Sequence, residues 1–153
     1  MKALHIAALA AAAAALQALP AAAQDVMVPD PAIAAPSSGT LNATLVGDLE
    51  VPDQGDPDGK ATATITIDGT KLCYMVDYHR LAPVTMAHIH AGVAGKAGDP
   101  VVVLKMTADY EIKGCAAVTA DLAAALLADP GNYYVNVHTT ELPKGAIRGQ
   151  LGK

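Results

Sequence analysis

The chain has 153 residues and a formal net charge of −5 at pH 7. Its aromatic residues are five Tyr, with no Phe and no Trp. This composition argues against a nucleic-acid partner, which would need a basic patch and stacking aromatic side chains. The core must therefore be built from Val, Ile, Leu, Ala, Met and Tyr.

The N-terminal segment has the pattern of an export signal. Lys2 precedes an apolar run over residues 3–19, and Ala21, Ala22 and Ala23 supply small residues for a signal peptidase. We therefore predict a signal peptide over residues 1–23 and a secreted or periplasmic protein. The apolar run is short for a bilayer span, so no membrane span is expected after cleavage.

Residues 24–39 form a Pro- and Ala-rich stretch with small polar residues, which predicts a flexible leader. One domain is expected from residue 40 to residue 153, a length that can bury a core of its own.

Strand patterns dominate this domain. Residues 60–67 alternate between Ala or Ile on one face and Thr on the other, and Asp68-Gly69 predicts a hairpin turn after them. Seven segments have such patterns: 41–51, 60–67, 71–79, 84–91, 100–106, 133–139 and 146–151.

A single short helix is predicted late in the chain. Thr119 offers an N-cap, residues 122–128 are rich in Ala and Leu, and Asp129-Pro130-Gly131 ends the segment. Many strands and one helix predict an all-β, antiparallel Greek-key sandwich or barrel, similar to superoxide dismutases or immunoglobulin domains.

The histidines suggest a metal site. His88 and His90 are two residues apart on a predicted strand, so their side chains project from the same face. His138 lies on a later predicted strand and is a third candidate ligand, while His79, at the end of another strand, is a fourth. Imidazole nitrogens suit both copper and zinc. The alternative is that these histidines are hydrogen-bonding side chains on a solvated sheet face.

Cys73 and Cys115 are the only cysteines. An even number in an exported chain predicts one disulfide, and a pair of thiolate metal ligands is the alternative.

Three further patterns have less weight. The Asp-rich loop over residues 53–59 lacks the downstream Glu of a calcium loop and is interrupted by Pro57, which favours a solvated turn. The Gly-rich stretch over residues 92–98 lacks a phosphate-loop ending and more plausibly shapes the loop after the histidine strand. Ser37 and Ser38 are the only serines, which argues against serine catalysis.

Four segments together resemble the CHRD (chordin) domain family. They are Leu72-Cys73-Tyr74, residues 87–92 (Ala-His-Ile-His-Ala-Gly), residues 133–139 (Tyr-Tyr-Val-Asn-Val-His-Thr) and residues 143–151 (Pro-Lys-Gly-Ala-Ile-Arg-Gly-Gln-Leu). The resemblance runs from about Leu41 to Leu151. It implies an exported domain and a fold, rather than a particular activity.

A weaker, site-level resemblance is to copper/zinc superoxide dismutases. His88, His90 and His138 match three copper ligands of those enzymes in order, and Arg148 matches the arginine that guides the anion to copper. There is no bridging histidine soon after His90 and no evident zinc site, so the similarity would be to copper-only forms. A salt bridge from Arg148 to Glu141 or Asp77 is the alternative role for this residue.

These observations predict an exported protein that binds copper through His88, His90 and His138, with zinc as the alternative metal. Redox chemistry on a small anion such as superoxide, with Arg148 as the catalytic residue, or metal handling would then follow. The other class of function is a non-catalytic binding or structural module that holds a protein or polymer partner without metal.

Overall fold

The computed structural model describes residues 38–153, so the predicted signal peptide and the leader up to residue 37 lie outside the described residues. One α-helix is present among the described residues, α1 (Ala120–Ala128), with 3-10 turns at Gly47–Leu49 and Pro130–Asn132. The strands are β1 (Ser38–Val46), β2 (Lys60–Asp68), β3 (Lys71–His79), β4 (Val84–Ala91), β5 (Pro100–Val103), β6 (Ile112–Ala117), β7 (Tyr133–Thr139) and β8 (Ile147–Gln150).

The eight strands form one antiparallel sheet in the order β5-β4-β7-β8-β1-β2-β3-β6. The connections are not sequential, since β8 returns to lie beside β1 and β6 lies beside β3. A bridge between Met106 and Ile112 joins the segment after β5 to β6, at the opposite end of this order. The sheet is therefore a nearly closed barrel, and the predicted all-β antiparallel class with one short helix is confirmed.

Strand β6 is a correction to the sequence prediction, which had seven strands and none over these residues. Its sequence, Ile-Lys-Gly-Cys-Ala-Ala, has no apolar alternation, and it pairs along its length with β3 only. The first strand also differs from the prediction. It begins at Ser38 and ends at Val46, because the chain turns into the 3-10 turn at residues 47–49.

The core lies on the inner face of the barrel. The alternation predicted for β2 is confirmed, since its Ala and Ile side chains are buried and Thr62 and Thr66 are exposed. Helix α1 buries Ala123, Leu126 and Leu127, and its N-cap is as predicted, because the Thr119 hydroxyl accepts a hydrogen bond from Leu122 N at 3.2 Å. Within residues 38–153, no helix has the length and apolar character needed to cross a membrane.

Cys73 and Cys115 form a disulfide, which confirms the predicted pairing. The two residues lie directly opposite each other in the β3–β6 ladder. The cross-link therefore ties the edge strand β6 to the sheet.

Candidate metal centre

The candidate site lies on the outer face of the sheet, along strand β4. Ala87 and Ile89 are fully buried in the core, so Met86, His88 and His90 project to the opposite side. A register shift between Val84 and Met86 in the β4–β7 ladder is a β-bulge, which returns Val84 to the core while Met86 stays outside. The same-face arrangement of the two histidines is therefore as predicted.

Strand β7 supplies the third histidine and a buried polar row. His138, Asn136 and Tyr134 are all at most 8% exposed, although they alternate with the core residues Val135 and Val137. Their burial on the outer face comes from loops that cover it. These loops are the segment that ends at Glu50, residues 92–99 and residues 140–146, and each is hydrogen-bonded to a side chain of this row or of β8.

Two of the rings are held by backbone carbonyls. His138 Nδ1 donates to Pro143 O at 3.1 Å, and His90 Nδ1 donates to Gly98 O at 2.8 Å. Because a carbonyl oxygen can only accept, both rings carry their proton on Nδ1 and present an unprotonated Nε2. Orientation of ligating histidines by such outer hydrogen bonds is the usual arrangement in metal sites.

The three histidines come together as a cluster. His88 Nδ1 lies 3.1 Å from His138 Nε2 and donates a hydrogen bond to it, with a proton that a bound metal ion would replace, and one nitrogen from each of the three rings lies within 4.8 Å of the others. Two imidazole nitrogens bound at about 2.0–2.1 Å to one tetrahedral ion would be separated by about 3.3 Å. The His88 and His138 nitrogens are therefore close to the separation that a metal ion requires, and the third ring lies beside them.

His90 Nε2 is buried and has no hydrogen-bond partner, alone among the buried side-chain nitrogen and oxygen atoms of residues 38–153. An unpaired buried polar atom of this kind carries a desolvation cost and calls for an explanation such as an ion. The residues present thus fit a metal ion held by His88 Nδ1, His90 Nε2 and His138 Nε2.

The electrostatics of the cluster favour neutral rings. Burial, above all, lowers the pKa of all three histidines below the ordinary value of 6.5, and neighbouring histidines lower it further for His88 and His138. For His90 the charge of Arg148 acts in the same direction. Neutral imidazole is the form that binds metal, so the fold keeps these ligands available.

The fourth predicted ligand is not part of this cluster. His79 is an exposed residue at the end of β3, and its Nε2 lies 3.6 Å from Asp77 Oδ1. The Asp-rich loop is also separate. Asp56 Oδ1 accepts from Asp58 N and Gly59 N, and Asp53 pairs with Lys144, which are the contacts of a structured turn.

The glycines shape the loop after β4, as predicted, and this loop folds back over the histidine strand. Gly98 permits this close approach, because a Cβ at this position would lie 1.6 Å from Ala91 O. Gly95 has φ +73, a conformation that favours glycine. The loop supplies the Gly98 carbonyl to His90 and the Val93 carbonyl to Arg148.

Arg148 is 2% exposed, and its contacts are with a tyrosine ring and a backbone carbonyl rather than with the carboxylates of the alternative prediction. Its guanidinium carbon lies 3.4 Å from the centroid of the Tyr134 ring, and Nη2 donates to Val93 O at 3.0 Å. The alternative partners Glu141 and Asp77 are both exposed. His90 stacks on the same Tyr134 ring, with centroids 4.8 Å apart and planes 7° from parallel, so Tyr134 connects the arginine to the histidine cluster.

Glu50 belongs to this buried network, and sequence reasoning missed it. It accepts a hydrogen bond from Asn136 Nδ2. Burial raises its pKa from 4.5 to about 7, against the opposing effects of the Arg148 charge and the Asn136 hydrogen bond. The only sequence signal was a single acidic residue just before Val51-Pro52, which does not distinguish it from a surface carboxylate.

An eight-stranded antiparallel barrel, cross-linked by one disulfide and carrying a covered polar row with three clustered histidines, defines the structural class of this protein. A family model described as the CHRD domain matches residues 41–151. The chain therefore belongs to the CHRD domain family, and the resemblance inferred from its motifs is confirmed. No curated protein and no solved structure was found to match the chain.

Proposed function

We propose that this protein is exported and binds one copper ion through His88 Nδ1, His90 Nε2 and His138 Nε2. The observation that carries the proposal is the buried His90 Nε2 without a hydrogen-bond partner, on a ring that offers a nitrogen within 4.8 Å of nitrogens from the other two rings. A three-imidazole set suits zinc as well. Copper(II) is favoured because it stands above zinc(II) in the affinity series for nitrogen ligands.

Export is supported by two independent features. The disulfide between Cys73 and Cys115 is of the kind that persists in oxidising compartments, and the first 23 residues have the pattern of a signal peptide. We therefore propose that the protein lies in the periplasm or outside the cell, where the disulfide is not exposed to the reductants of the cytosol.

Metal content is the first expected result. Protein purified from the periplasm without a His tag, then dialysed against copper(II), should hold one copper per chain by elemental analysis. His88→Ala together with His90→Ala should abolish this binding, because one remaining histidine cannot hold the ion tightly. Calorimetry with copper(II) and with zinc(II) measures both affinities and decides between the metals.

His79→Ala is the matched control for the double variant, since His79 also lies on a strand but outside the cluster. It should leave the copper affinity unchanged. Equal copper affinity of the double variant and the wild type would contradict the proposal, and would favour the alternative of a metal-free module that holds a protein partner.

A redox role is the second candidate function, and it is favoured by a cavity beside Arg148. The cavity has a volume of about 50 Å³ and is lined by Leu49, Ala94, Gly95, Arg148 and Gln150. It has room for a diatomic anion, since one water molecule takes up about 30 Å³ in the liquid. A buried guanidinium at such a cavity attracts small anions such as superoxide.

The copper-loaded protein is therefore expected to consume superoxide faster than buffer that contains the same amount of copper bound to a chelator. Pulse radiolysis or a xanthine oxidase assay measures this rate, with the His88→Ala, His90→Ala variant as the control. Equal rates in all samples would remove the dismutase role and leave metal storage or transfer.

A further inference from the structure

A methionine lies on the same side of β4 as the two histidines, outside the hydrophobic core. Met86 is directly opposite His138 in the β4–β7 ladder and two residues before His88. Its side chain is 48% exposed, on the outer face of the sheet. The bulge between Val84 and Met86 keeps it on that face.

The position of Met86 brings its thioether within reach of the cluster. Residues directly opposite each other in an antiparallel pair have Cβ atoms about 4.5–5.5 Å apart, and the methionine side chain is long and flexible. The next outward residue, His88, is opposite the exposed Val103 on the other neighbouring strand, β5. Met86 and Val103 are therefore two exposed apolar residues on the histidine face, each directly opposite one of the histidines.

Thioether sulfur is a soft ligand that selects copper(I), whereas hard and borderline ions such as zinc(II) gain little from it. We propose that the Met86 sulfur is a further ligand for copper(I) at this centre, beside His88, His90 and His138. This inference rests on the proposed copper site. It adds that the site binds copper(I) as well as copper(II). It also adds that Met86 sets the affinity for copper(I).

The alternative is that Met86 is one of the scattered apolar residues that any protein surface contains. Met75 is the control for this reading. It is 57% exposed on β3, separated from β4 by four strands in the sheet order. If Met86 is only a surface residue, then replacing Met86 and replacing Met75 should have the same effect on copper(I) affinity.

The test compares the wild type with Met86→Leu and Met75→Leu, since leucine keeps the volume and removes the sulfur. Copper(I) affinity is measured without oxygen by competition with a chromogenic copper(I) chelator, and copper(II) and zinc(II) affinities by calorimetry. We expect Met86→Leu to weaken copper(I) binding about tenfold or more, the least that loss of a supporting group at a metal site costs. Its copper(II) and zinc(II) affinities, and all affinities of Met75→Leu, should stay at the wild-type values.

X-ray absorption of the copper(I)-loaded protein gives an independent readout, since a bound thioether adds a sulfur to the nitrogen ligands of the ion. We expect that sulfur in the wild type and in Met75→Leu, and its absence in Met86→Leu. Unchanged copper(I) affinity and a nitrogen-only spectrum in the wild type would overturn the inference while copper(II) binding by the histidines stands. If neither oxidation state binds to the wild type, the proposed function fails and this inference fails with it.

Discussion

Replacing both Cys73 and Cys115 by serine is expected to lower the free energy of unfolding by roughly 4 kcal/mol, the value that chain entropy predicts for a cross-link closing a loop of 42 residues. Packing adds little to the loss, because Cys73 is half-buried and Cys115 is exposed. Urea denaturation of the oxidised wild type and the double variant measures the difference. The double variant avoids the free thiol that either single change would leave.

The loss of stability should be largest locally in β6. This strand pairs along its length with β3 alone and has no apolar alternation, so it is held by one set of backbone hydrogen bonds and by the disulfide. Amide hydrogen exchange should accelerate in residues 112–117 of the double variant more than in β2, which has neighbours on both sides. The wild type treated with a reductant should behave like the variant. A stability difference below about 1 kcal/mol would show that the cross-link adds little to an already compact unfolded chain.

The comparison of β2 and β6 shows which strands a sequence can predict. The alternation of Ala or Ile with Thr in β2 follows directly from one buried and one exposed face, so this strand could be predicted from the sequence. Strand β6 has a single fully buried residue, Ile112, and exists because its backbone pairs with β3 and its cysteine is cross-linked. Those are long-range contacts, and no local pattern encodes them.

The candidate site divides in the same way. The side-by-side placement of His88 and His90 is a local property of a strand and was predictable, and His138 stood out because it lies on another strand. The contacts of Tyr134 with both His90 and Arg148, and the approach of Glu50 to Asn136, depend on the register of β4, β7 and β8 and on the loops that cover them. The sequence also could not show that Arg148 is buried against a tyrosine ring. The alternation along a strand indicates on which face a side chain lies, but not which residues cover that face.

Arg148→Ala is expected to lower the free energy of unfolding by roughly 3 kcal/mol, since a desolvated cation–π contact contributes about 2 kcal/mol and a hydrogen bond from a charged group about 1.5 kcal/mol. The variant loses the contact with the Tyr134 ring and the hydrogen bond to Val93 O, which keeps only its bond from Lys96 N. It also removes the positive charge that lowers the pKa of Glu50. Thermal and urea denaturation measure the effect, with Lys144→Ala, an exposed cation paired to Asp53, as the control expected to change little.

The dependence of this loss on pH identifies Glu50 as the affected group. The pKa of Glu50 is about 7 in the folded protein, above its ordinary value of 4.5, so its protonated form favours folding and that contribution disappears as the pH rises from about 4.5 to 7. Without Arg148 the folded pKa rises further. From about pH 4.5 to 7 the wild type and Arg148→Ala lose stability in parallel, so the deficit of the variant should grow only above about pH 7, where Glu50 is ionised in the wild type and still protonated in the variant.

Glu50→Gln separates this effect from the rest of the network, because the amide keeps the size of the side chain and does not titrate. In a Glu50→Gln background, Arg148→Ala should cost less, and most of the growth of the deficit with pH should vanish. The effect of Arg148 on His90 is present in both backgrounds and cancels in the comparison. If Arg148→Ala instead leaves stability within about 1 kcal/mol of the wild type at every pH, the buried guanidinium is not a structural group, and its place beside the cavity would then favour the anion-attracting role.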